Sequence, residues 1–136
     1  MGVNLRVGPI AYPVGGADLF GSFFDTVGIR LEGGARGSRF PMLAALYRDG
    51  AVSPDAAEAA RTELSTVESE LRQHSPADAV WDIEKPGVLP PWGTDIADTI
   101  TSLGDYFLTT AGRPLLTVMD AVFDASTRTG KPVRIA

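Results

Sequence analysis

Val80-Trp81-Asp82-Ile83-Glu84 runs directly into Lys85-Pro86-Gly87-Val88-Leu89-Pro90-Pro91-Trp92-Gly93, and this stretch holds both tryptophans of the chain. Val80, Trp81 and Ile83 favour a pleated, half-buried backbone, so residues 79–84 read as a strand. The Pro-Gly and Pro-Pro pairs then stop it, because proline lacks an amide donor and fixes φ. One aromatic on a strand and one on a rigid loop would anchor a core on one side. Asp82, Glu84 and Asp95 would lie on the other.

Upstream, Ser53-Pro54-Asp55 is a helix start: a capping residue, proline in the first turn and an acid at the positive end of the dipole. Ala56, Ala60, Leu64, Val67 and Leu71 form one apolar face of a helix over 53–74, opposite Asp55, Glu58, Glu63, Glu68 and Glu70. His74 reads as a surface residue at its C-terminal end. Further back, Pro41 opens a helix over 41–48, and Leu19, Phe20, Phe23, Phe24, Val27 and Leu31 recur at helical steps over 17–32. The glycine-rich turn between these two helices carries Arg36 and Arg39, read as solvent-exposed or paired with acids of the protein. Val3, Leu5 and Val7 alternate with Asn4 and Arg6, the period of a strand with one buried face. Ile10-Ala11-Tyr12 continues it past a bend at Gly8-Pro9. Gly15-Gly16 lacks the spacing of a phosphate loop.

Downstream, residues 94–103 read as a short helix or an irregular stretch, with the apolar spacing favouring the helix, and Tyr106-Phe107-Leu108-Thr109-Thr110 as a strand. A helix is expected over 114–128, and Val133-Arg134-Ile135 alternates as a last strand over 132–135. About four strands with about four helices make an α+β or α/β domain of two layers with a small mixed sheet. At 136 residues, one domain over 1–136 is expected, large enough to bury a core without disulfides or metal.

Composition narrows the chemistry. There is no cysteine and one histidine, which removes thiol catalysis, disulfides, zinc–thiolate sites and multi-histidine metal sites from consideration. No apolar run reaches the roughly 18 residues of a membrane span. No signal peptide is evident, so the cytoplasm is the expected compartment. The net charge of −5 is unevenly spread. Residues 1–48 hold three acids and five bases (+2), residues 49–105 twelve acids and three bases (−9), and residues 106–136 two acids and four bases (+2). An acidic block disfavours nucleic acid and steers basic partners. Asp82 and Glu84, two apart on one strand, share a face and are the only pair arranged for acid–base work. They define the alternative of a small acidic enzyme or ligand-binding module. No catalytic, cofactor or metal motif accompanies them.

Several pieces, in order, resemble the immunity protein 70 family of bacterial polymorphic toxin systems. These are Met1-Gly2-Val3-Asn4-Leu5-Arg6-Val7 with Tyr12, Ser22-Phe23-Phe24, Gly37-Ser38-Arg39-Phe40-Pro41, Val80-Trp81-Asp82-Ile83-Glu84, Pro90-Pro91-Trp92-Gly93 and Tyr106-Phe107-Leu108-Thr109-Thr110. Gly104-Asp105 departs from the Ser-Asn that the family carries before the Tyr-Phe pair. The resemblance implies a cytoplasmic antidote that binds a cognate toxin domain and occludes its active site, with no catalytic residues of its own. With the acidic block, it sets the expected partner as a basic toxin domain met by Asp82, Glu84, Trp92, Asp95 and Asp98. The acidic helix over 53–74 is the competing surface. Nothing in the sequence indicates a homo-oligomer.

Overall fold

The alternation at the N-terminus becomes β1 (Gly2–Val7), with Leu5 and Val7 buried and Arg6 exposed. The structure, a computed structural model, describes residues 2–81 and 98–136. After Val7 the chain does not continue past a bend; it reverses. Gly8 at φ 58 and Pro9 form a two-residue turn into β2 (Ile10–Gly16), with Val7 opposite Ile10. Glycine takes that positive φ without steric penalty, and such turns match the twist of paired strands. Pro13 sits within β2 because β2 is a sheet edge, where a missing N–H breaks no ladder.

Two further strands complete the sheet: β3 (Ala51–Val52) and β4 (Val133–Ile135), in the order β2-β1-β4-β3. Every pairing among the described residues is antiparallel, where the sequence reading expected a mixed sheet. A two-residue hairpin joins only antiparallel strands, and β4 runs antiparallel to both β1 and β3.

Four of the helices stand where periodicity placed them: α1 (Ala17–Arg30), α2 (Pro41–Asp49), α3 (Pro54–Leu71) and, after the short α4 (Leu103–Tyr106), α5 (Leu115–Thr129). α5 is buried on two sides, one against β1, β2 and β4 and one against α3. α1 lies against β1 and β2, α2 against β3 and β4, and α3 packs on α5 and α2 behind them. Ala57 and Ala60, both at 0% exposure, let α3 approach closely. The core runs from Leu5, Val7 and Val133 through Phe23, Phe24, Phe107, Met119 and Phe123 to Leu64 and Leu71. Phe23 meets Phe24 and Phe107 edge-on at 5.1 and 5.4 Å between ring centres, the geometry aromatic quadrupoles favour. The overall class is therefore α+β.

Two expected strands are corrected. Residues 79–81 do not join the sheet; residues 82–84 lie outside the described residues. The helix expected over 94–103 is likewise outside them as far as residue 97, and residues 98–102 are not helical. The strand expected over 106–110 begins instead as the end of α4. The Ser102 hydroxyl accepts from the Gly104 amide, and the Asp105 carboxylate accepts from the Ser102 amide at 2.9 Å, a capping box. Residues 107–109 then fold back beside Arg113–Leu115, with Leu108 bridged to Pro114.

Candidate functional site

The segment leading into the expected site is fastened to α1 by two hydroxyls. Ser22 and Thr26 donate to the Val80 carbonyl at 2.6 and 3.2 Å, and the Val80 amide donates to Thr26 Oγ1 at 2.9 Å. Val80 has 0% exposure, so these bonds satisfy backbone groups that a ladder would otherwise have to satisfy. The strand-like residues 79–81 thus find partners on a helix. Trp81 follows half-buried, at a groove of about 210 Å³ that it lines with Ala17, Asp18, Gly21, Asp25 and Tyr47. Asp18 carries no signal in the sequence, and Tyr47 reads there only as part of the apolar face of the helix over 41–48; they come together only because α1 and α2 meet here. A Cβ on Gly21 would lie 2.8 Å from the Tyr47 hydroxyl, so glycine is what lets the tyrosine approach α1.

Of the residues expected to form the site, Asp82, Glu84, Trp92 and Asp95 lie outside the described residues. Asp98 is exposed and has no partner among the described residues.

The competing acidic surface on α3 looks different in three dimensions than in sequence. Glu63 turns toward α2 and accepts from the amides of Met42 and Leu43 at 3.0 and 3.1 Å. It caps a neighbouring helix, whose first amides have no partner within that helix. Burial pushes the Glu63 carboxyl above its ordinary value, and these two amides work against that rise. Glu70 is held by both guanidinium nitrogens of Arg39, at 2.7 and 2.6 Å, a contact that keeps its carboxyl below the usual range. Glu68 pairs with Arg72. Only Asp55 and Glu58 on this helix make no ion pair or side-chain hydrogen bond among the described residues.

Other sequence-level candidates are also accounted for. Arg36 pairs with Asp25 and lies over the Tyr47 ring at 5.2 Å, so both loop arginines serve internal pairs. Buried Glu32 accepts from the amides of Arg39 and Phe40, ordering the same turn. His74 lies just beyond α3, 3.3 Å from Asp78. Asp105, whose burial is outweighed by the Ser102 and Thr101 amides, titrates below the usual range as a capping residue. No group of acids and histidine arranged to hold a metal occurs among the described residues. No helix among them is long and apolar enough to cross a membrane.

These features define a small α+β protein in which most described acids are bound up in holding helices and turns together. The immunity protein 70 family model matches residues 5–135, nearly the whole chain, and the protein belongs to that family. No curated protein and no solved structure matches it.

Proposed function

We propose that this protein is a cytoplasmic immunity protein that acts as one domain, binding a cognate toxin domain and occluding its active site without catalysing a reaction. Membership of the immunity protein 70 family carries the reading. The proposed contact is the 82–98 region, through Asp82, Glu84, Trp92, Asp95 and Asp98, against a basic toxin surface. Two observations support this region over α3. Glu63, Glu68 and Glu70 already have partners within the protein, which leaves α3 little free charge. At the base of the region, the Trp81 groove combines the carboxylates of Asp18 and Asp25 with the rings of Trp81 and Tyr47. Carboxylates beside aromatic faces suit a lysine or arginine side chain, although Asp25 already holds Arg36.

The test is charge reversal at Asp82, Asp95 and Asp98, read as protection of toxin-expressing cells and as association rate with the purified toxin domain. Electrostatic steering predicts slower association and a weaker salt dependence, with folding stability unchanged. The control is reversal at Asp55 and Glu58, the acids of α3 without internal partners. Reversal at Glu63 or Glu70 is no control, because it breaks contacts within the protein. Loss of protection with the control pair alone would move the interface to α3. Turnover of any substrate abolished by Asp82→Asn with Glu84→Gln would favour the enzyme alternative.

A further inference from the structure

Among the described residues, the helices cover one face of the sheet and leave the other open. Across that open face runs a single row: Ala11 on β2, Arg6 on β1, Arg134 on β4 and Ala51 on β3, each directly opposite the next. Arg6 and Arg134 are exposed and make no ion pair or side-chain hydrogen bond among the described residues. Directly opposed residues hold their Cβ atoms about 4.5–5.5 Å apart, and like charges so placed destabilise a sheet. Two more exposed cations border the same face. Lys131 lays its stem over Gly8, in the turn that follows Arg6 by two residues. Arg113 lines a mainly apolar cleft of about 280 Å³ with Ala11, Tyr12, Pro13, Thr109 and Val118.

The segregation is marked. The other described arginines pair with acids or, for Arg30, with a backbone carbonyl. Among the described residues, four cations do neither; they lie on this face or at its β2 edge and turn, in a protein whose net charge is −5. The neighbours in the row are alanines, so no long side chain in the row screens the two exposed guanidinium groups.

We propose that this open face is a docking surface for a carboxylate-bearing segment of a protein partner. Arg6 and Arg134 hold its carboxylates and the cleft beside Arg113 takes an apolar side chain. Two adjacent guanidinium forks match carboxylates in bidentate geometry. The net negative charge of the molecule opposes a long polyanion, and four cations release few counterions, which disfavours nucleic acid. The proposal stands apart from the acidic contact proposed for the toxin and concerns a different face.

The probe is a fluorescein-labelled peptide of twelve residues, glutamates with one central leucine, titrated into the full chain by anisotropy and by amide chemical shifts. Shifts are expected at Arg6, Ala11, Arg113 and Arg134, with binding about tenfold weaker in Arg6→Thr/Arg134→Thr, since hydrogen bonds to charged groups are the strong ones. That variant should melt no lower than the wild type, because it removes a repulsion, so lost binding would not reflect lost folding. Replacing the leucine by glycine should weaken binding and remove the shifts at Tyr12 and Val118. Equal binding by the double variant would overturn the proposal, as would shifts confined to residues outside this face and the adjoining cleft. Tighter binding of duplex DNA or of phosphatidylserine vesicles than of the peptide would overturn it in favour of those partners. Self-association in sedimentation, abolished by the double variant, would show instead that the face meets a second copy.

Discussion

At the scale of single residues, two side chains illustrate how polar groups are used here. Thr26 both accepts from and donates to Val80. Thr26→Val keeps the shape and removes both bonds, leaving the buried Val80 amide unsatisfied. The expected loss is about 1–3 kcal/mol by urea titration, with faster hydrogen exchange at that amide. Unchanged stability would mean that water replaces the hydroxyl. Glu63 makes a prediction with a sign. Its folded pKa lies above the unfolded value near 4.5 because burial favours the neutral form. The folded state therefore binds the proton more tightly, and Glu63 ionisation lowers stability as pH rises from the unfolded value through the folded one. Glu63→Gln has no such titration, so wild type should lose stability relative to it as pH rises above the unfolded value near 4.5. A flat difference across that range would contradict the burial argument. Glu70, with a lowered pKa, runs the other way: its contribution is lost as pH falls, and it is small because the pair with Arg39 is exposed.

At the scale of elements, the aromatic cluster and the α4 cap carry the test. Phe107 has 2% exposure and meets Phe23 and Tyr106 edge-on. Truncation to alanine should destabilise by about 3–5 kcal/mol, measured by denaturant titration. A loss under about 1 kcal/mol would mean that the α1 stripe does not depend on this contact. Ser102→Ala removes half of the capping box and should lower stability by about 0.5–2 kcal/mol. Its effect should be local, read as faster exchange at the Gly104 amide, whose acceptor is the Ser102 hydroxyl.

For the whole molecule, charge is arranged so that stability and association respond differently to salt. The pairs Arg48–Asp49, Arg61–Asp120 and Arg128–Asp124 are exposed, and exposed pairs contribute little. Raising salt to about 1 M, where screening reaches about 3 Å, should therefore move the melting temperature only slightly. Over the same range association with a charged partner should slow strongly. A steep fall in melting temperature would show that these pairs act as a stabilising network.

Periodicity alone determined much of this protein. The four long helices, β1 and β4 were legible because each presents one apolar face at a fixed spacing, and a buried face leaves its mark on the residues that form it. Phe23, Phe24, Leu64, Trp81, Phe107 and Phe123 were expected in the core; all are there except Trp81, which is half-buried beside its groove. What the tertiary structure decided is where backbone and charge find partners. Val80 and Trp81 have the composition of a strand, yet Ser22 and Thr26 on a distant helix take the hydrogen bonds a ladder would have taken. The Ser102–Asp105 box turned the start of an apparent strand into a helix end. The acids of α3 counted as surface charge in one dimension, but in three Glu63 caps α2 and Glu70 holds Arg39. Arg6 and Arg134, 128 positions apart in the chain, became neighbours only through the pairing of β1 with β4. Local spacing is written in the chain; the partner of a polar group depends on which elements meet.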